Sequence, residues 1–163
     1  MPSRSLPDGC CIFEAEQILP APPEELWGFF ADASNLERIT PPWLRFRVLT
    51  PAPIAMRQGT IIDYRLRWRF LPIRWRTLIS AWDPPNRFVD EQVRGPYRLW
   101  RHEHRFEPLG GGTRMIDRVE YRAPLAALSH PLVVRRDVEG IFAHRRAILE
   151  AHPEWLSAEP LRR

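Results

Sequence analysis

Lysine is missing altogether: the 163-residue chain has 24 basic residues, and every one is arginine. That excludes a P-loop lysine, a Schiff-base lysine and a pyridoxal-phosphate enzyme with its own lysine. Cysteine is nearly as scarce. Cys10 and Cys11 are adjacent, so they cannot staple a loop, and no CxxC pair or zinc-type spacing exists. A reducing cytoplasm is the compartment this composition implies. No apolar run reaches the length of about 18 residues that a membrane span needs, and the opening MPSRSLPDG has no signal-peptide core. GxSxG is absent. Gly110-Gly111-Gly112 has no following helix and no lysine, so it reads as a hairpin loop rather than a nucleotide cradle.

What is present suits one folded domain. Apolar residues make up 44% and charged residues 27%, which argues against disorder, and 18 prolines punctuate the chain. The net charge is only +4. A sequence pI near 9.8 overstates the basic character, because arginine does not titrate in this range.

The pattern alternates over Cys11 to Leu19, predicting a first strand. Pro22 and Pro23, followed by Glu24 and Glu25, open a short helix carrying Leu26, Trp27, Phe29 and Phe30. A second short helix is expected from Ala33 to Ile39, ended by Pro41-Pro42. From Trp43 to Tyr121 the chain reads as antiparallel strands, with turns at Leu71-Pro72, Asp83 to Asn86, Arg94 to Pro96 and Leu109 to Thr113. Val134, Val138, Ile141, Phe142, Arg145, Ile148 and Leu149 then share one face of a helix of about five turns. The expected domain covers residues 10–153, with flexible tails at 1–9 and 154–163.

The expected fold class is therefore α+β: a curved antiparallel sheet of about seven strands wrapped around a long C-terminal helix, with two short helices after the first strand. A gap between helix and sheet is a natural ligand cavity.

This order resembles the helix-grip fold of the START-like or Bet v 1-like superfamily. The phrases LPAPPEELWGFFADASNLERITPP and WDPPNRFVDEQVRGPYRLWRHEHRFEPLGGGTRMIDRVEYRAP sharpen the likeness. They look like the ligand-binding SRPBCC group, often described as polyketide cyclase/dehydrase-like. The resemblance implies an internal cavity for a small hydrophobic molecule, a lipid or an aromatic polyketide-like compound. It also leaves open a cyclase/dehydrase and a protein-interaction module of the chaperone-activator type.

Candidate chemistry centres on Tyr97 to Phe106. His102 and His104 lie two apart on one strand face, between Trp100 and Phe106. Asp117 shares a face with Met115, Val119 and Tyr121, where a carboxylate needs a partner. Glu91, between Val89 and Val93, invites the same argument. His102, His104, Asp117 and Glu91 are thus the candidate acid–base set. Tyr64, Trp68, Trp75, Trp100, Phe106, Tyr121 and Phe142 are the candidate ligand-binding walls. No cofactor and no metal is expected. The arginine rows on the sheet read as a solvated face, and without an aromatic stacking row they argue against nucleic acid. The expected partner is a small hydrophobic molecule, with no integral membrane association, in a monomer or homodimer.

Overall fold

The computed structural model describes residues 3–7, 9–123 and 131–156. Eight strands form one sheet: β1 (Arg4–Ser5), β2 (Cys11–Leu19), β3 (Arg47–Val48), β4 (Ile61–Trp68), β5 (Leu71–Asp83), β6 (Arg87–Arg94), β7 (Leu99–Leu109) and β8 (Gly112–Arg122). Their spatial order is β1-β2-β8-β7-β6-β5-β4-β3, and every pairing is antiparallel. Helices α1 (Pro23–Phe30) and α2 (Leu36–Ile39) fill the crossover from β2 to β3. The long helix α3 (Pro131–Ala151) follows the sheet. This is the sheet-around-helix arrangement expected from the periodicity, and the helix-grip fold that the resemblance implies.

Apolar spacing explains the packing. Val134, Val138, Phe142 and Leu149 of α3 are buried, as their shared helical face requires. Val134, Val138 and Phe142 close on Phe13, Val119 and Tyr121 of β2 and β8. Leu26, Phe29 and Phe30 of α1 close on Phe88, Phe106 and Met115 at the other end of the sheet. A third cluster joins Ala33 to Ile62, Tyr64 and Ile79. The cavity lies among these three cores.

Several local expectations are corrected. Trp43 to Val48 is not a strand throughout: Pro42–Leu44 form a 3-10 turn and Arg45 takes a left-handed φ of 45°. Only Arg47–Val48 pair with β4, because Pro51 and Pro53 deny the following segment ladder donors. The β4–β5 turn is Arg69-Phe70, not Leu71-Pro72, since Trp68 pairs directly with Leu71. Phe70 therefore projects from the hairpin tip, 84% exposed. The Gly110-Gly111 turn is as expected, with φ of 55° and 89°.

The segments expected as tails are partly tied down. Arg4–Ser5 pair with Ile12 and Cys11. Pro153–Leu156 form a 3-10 turn whose Leu156 is fully buried, with Trp155 stacked on Phe29. Residues 157–163 lie outside the described residues. No helix among the described residues is long and apolar enough to cross a membrane.

Candidate functional site

Register assembles the site. In an antiparallel ladder, residues directly opposite one another share a face. Asp90 of β6 faces His102 of β7, which faces Val119 of β8. One step along, Phe88 faces His104, which faces Asp117. Two histidines and two carboxylates from three neighbouring strands thus meet on the concave side. Arg145 reaches them from α3, where it occupies the helix's apolar face and is 7% exposed.

The contacts are close. His102 Nε2 and His104 Nδ1 each lie 3.0 Å from Asp117 Oδ1. On the other edge of the two rings, His104 Nε2 is 3.0 Å and His102 Nδ1 is 3.5 Å from Asp90 Oδ2. The imidazoles are 3.7 Å apart, centroid to centroid. Phe88 stacks on His104 at 4.0 Å and fixes its plane. Arg145 places Nη1 3.5 Å from Asp117 and Nη2 3.5 Å from His104 Nδ1. Its guanidinium also lies 5.5 Å from the centre of the Phe30 ring. The buried Arg145 Nε has no hydrogen-bond partner among the described residues.

Burial and charge oppose one another here. Burial works against the charge on Asp117. The Arg145 guanidinium and the hydrogen bonds of both imidazoles outweigh it, and the carboxyl is held well below the usual carboxylate range. Asp90 is lowered for the same reason, with the His104 hydrogen bond the largest effect opposing burial. His102 moves down: burial and the neighbouring His104 charge outweigh the support of Asp117.

Above the cluster is a cavity of about 550 Å³, within the range of small-molecule sites. Asp90, His102, His104 and Arg145 are part of its wall. The remaining lining is mostly aromatic and aliphatic, from β4, β5, the helices after β2, and α3. Trp68 of β4 donates its Nε1–H to Asp137 of α3 at 2.7 Å, tying the hairpin to the helix. Burial pushes the Tyr64 and Tyr97 phenols up, so each stays protonated.

The structure divides the residues singled out from sequence. His102, His104, Tyr64, Trp68, Trp75, Trp100 and Phe142 line the cavity. Asp117 lies directly behind the two histidines. Phe106 and Tyr121 are on the concave side but are consumed by the cores under α1 and α3. Glu91 is a correction. It points to the outer face, where it accepts from Ser80 Oγ at 2.9 Å and sits 3.5 Å from Arg101. Asp90 holds the inward position instead. Val89 and Val93, which flank Glu91, set the wrong phase, because Phe88 and Val89 are both buried although they face opposite ways. Asp90 and Arg145 were missed as site residues. A signal for Arg145 was available: a charge on the apolar face of a helix demands a buried partner.

The solved structures that match share the fold. A START superfamily protein from Mycobacterium smegmatis is 13% identical, with a TM-score of 0.67, over 90% of this chain and 99% of that one. The Zhui aromatase/cyclase from Streptomyces sp. R1128 is 17% identical, with a TM-score of 0.66, over 90% of this chain and 93% of that one. Ginseng major latex-like protein 151 from Panax ginseng is 10% identical, with a TM-score of 0.66, over 88% of this chain and 97% of that one. No curated protein matches the chain. The family model for polyketide cyclase/dehydrase and lipid transport matches residues 19–144, a span that includes both histidines and both aspartates and ends one residue before Arg145. The chain therefore belongs to the polyketide cyclase/dehydrase and lipid transport family, whose fold supports a hydrophobic ligand-binding role.

Proposed function

We propose that the protein binds a small, mainly apolar molecule with one polar end, the polar end meeting the His–Asp–Arg cluster. The observation that carries this reading is the cavity of about 550 Å³ whose aromatic and aliphatic lining is interrupted by polar groups at Asp90, His102, His104 and Arg145. Burying apolar ligand surface supplies the affinity, at about 25 cal/mol per Å². The polar groups orient the ligand, because a buried donor or acceptor left unmatched costs about 1–3 kcal/mol. An amphiphile such as a fatty acid or a phenolic polyketide-like compound fits both demands.

Native mass spectrometry of the full chain, compared with the denatured mass of the same preparation, tests this. The expected result is a non-covalent adduct released on unfolding, or saturable one-to-one uptake of the neutral fluorophore N-phenyl-1-naphthylamine. Trp100→Ala and Tyr64→Ala should weaken that uptake. A chain that carries no adduct and takes up no fluorophore overturns the reading.

A second reading is ring closure or dehydration of a bound ligand. It is favoured by one observation, the two imidazoles paired with carboxylates in the cavity wall. Such a pair is a general acid–base set for moving protons next to a carbonyl. Turnover of a poly-β-ketone substrate that survives alanine at His102, His104 and Asp117 together removes this reading.

A further inference from the structure

The two carboxylates grip opposite edges of the same pair of imidazoles, and while both imidazoles are neutral, hydrogen-bond arithmetic leaves this arrangement incomplete. Ionised Asp117 can only accept. Its Oδ1 lies 3.0 Å from His102 Nε2 and 3.0 Å from His104 Nδ1, so both contacts are favourable when both nitrogens carry hydrogen. The opposite nitrogens, His102 Nδ1 and His104 Nε2, then present lone pairs. Those lone pairs lie 3.5 and 3.0 Å from Asp90 Oδ2, which is also an acceptor. Three acceptors converge with no hydrogen among them. The opposite tautomer of His104 puts hydrogen toward Asp90 and lets Nδ1 accept the 3.5 Å contact from Arg145. It then sets an imidazole lone pair 3.0 Å from an Asp117 oxygen. In the first arrangement, with both imidazoles held by Asp117, a cation on the Asp90 side completes the cluster; in the second, Arg145 already faces the lone pair of His104.

We propose that Asp90, His102 and His104 form a site for a divalent transition-metal ion, with Asp117 as the carboxylate that orients both histidines. The three ligand atoms lie within 4.8 Å of one another. Two ligands at about 2.1 Å from one ion, separated by about 90–110°, stand about 3.0–3.4 Å apart. The 3.0 and 3.5 Å separations from Asp90 Oδ2 match those edges. Two imidazoles with one carboxylate select zinc, iron or a neighbouring first-row ion over magnesium or calcium. Asp117 completes the carboxylate–histidine–metal pattern, in which the second carboxylate fixes the tautomer. Its partner Arg145 stands with it, contacting Asp117 and the Nδ1 edge of His104.

The ligand face opens on the cavity, since Asp90, His102 and His104 are in its wall while Asp117 is not. The free coordination positions therefore point at whatever the cavity holds. Asp90 and Asp117 balance a divalent ion, and Arg145 leaves one positive charge over. An anionic oxygen, such as a carboxylate or enolate on the bound molecule, fits that remainder. The metal site stands on the cluster geometry and not on the proposed apolar ligand.

The test titrates EDTA-treated full-length protein with Zn2+ by calorimetry, and with Co2+ by visible absorption. One ion per chain is expected. Asp90→Asn and His104→Gln should each weaken binding at least tenfold, and Asp117→Asn by about 10–100-fold. His144→Ala and His152→Ala, outside the cluster, should bind as the parent does. Circular dichroism shows which variants remain folded, and Asp90→Asn changes shape least. Uptake that is absent in the parent, or that survives Asp90→Asn and His104→Gln unchanged, overturns the site. Parallel titration with N-phenyl-1-naphthylamine separates the two proposals. Fluorophore uptake without metal removes only the metal site, and metal uptake without fluorophore removes only the apolar ligand.

Discussion

Strands β6, β7 and β8 carry charge on both faces. On the outer face Glu103 lies among Arg87 at 2.7 Å, Arg105 at 3.3 Å and Arg101 at 3.4 Å, with Arg118 and Glu120 paired alongside at 3.0 Å. On the inner face, one residue away along each strand, lie Asp90, His102, His104 and Asp117. Glu103 itself is half-buried, but its arginine partners keep access to water, so each pairing adds at most about 1 kcal/mol and weakens with salt. The inner groups have lost most of their hydration, so the pairing must replace it or the fold suffers. Alternation along a strand thus separates charge that keeps the surface wet from charge held where a ligand can feel it.

The largest effect that breaks this contrast is expected from Arg145→Ala. It strips buried Asp117 of its cation, weakens the field at half-buried Asp90, and should cost about 3–5 kcal/mol in urea unfolding. A loss no greater than that of an outer-face arginine would show that the inner cluster is solvated. Acid should act next. In the metal-free protein, His102 binds its proton less readily than in the unfolded chain, so stability should begin to fall as pH drops below about 6.5. Asp117 adds to the loss. Its stabilisation is present above the unfolded carboxyl value of about 3.9 and disappears as pH falls through its depressed folded value. A urea midpoint unchanged between neutral pH and about 5 would contradict the His102 part of this account. The smallest effect belongs to Arg101→Ala on the outer face. A cost of at most about 1 kcal/mol, reduced further by added salt, is expected. A cost several times larger would erase the difference between the faces.

The sequence carried the frame of this site more clearly than its membership. The alternation through His102, His104 and Asp117 was readable because β7 and β8 keep unbroken register with each other from Leu99 to Leu109. Asp90 was hidden because β6 is buried on both faces at Phe88 and Val89, so period two has no contrast there. Register shifts at Arg76/Thr77 and Ile79/Ala81 also loosen the phase between β5 and β6. Phe106 and Tyr121 point the expected way but not into the cavity. Which part of a concave face becomes core and which stays open depends on where α1 and α3 land, and that is a property of the whole sheet's curvature. Arg145 was visible as an anomaly on its helix, but its partners lie 28 and 55 residues upstream, at Asp117 and Asp90, and only tertiary packing brings them together.

Helix α3 is both a wall of the cavity and the carrier of the cluster's cation. Lifting it to admit or release a ligand therefore separates Arg145 from two carboxylates while it exposes apolar surface. The helix behaves as an electrostatic latch, whose closing force comes from the site it covers. Removing the Asp117 charge by Asp117→Asn, which mild acid does not do, should loosen the latch, so exchange of the cavity's contents should quicken while the strands remain paired.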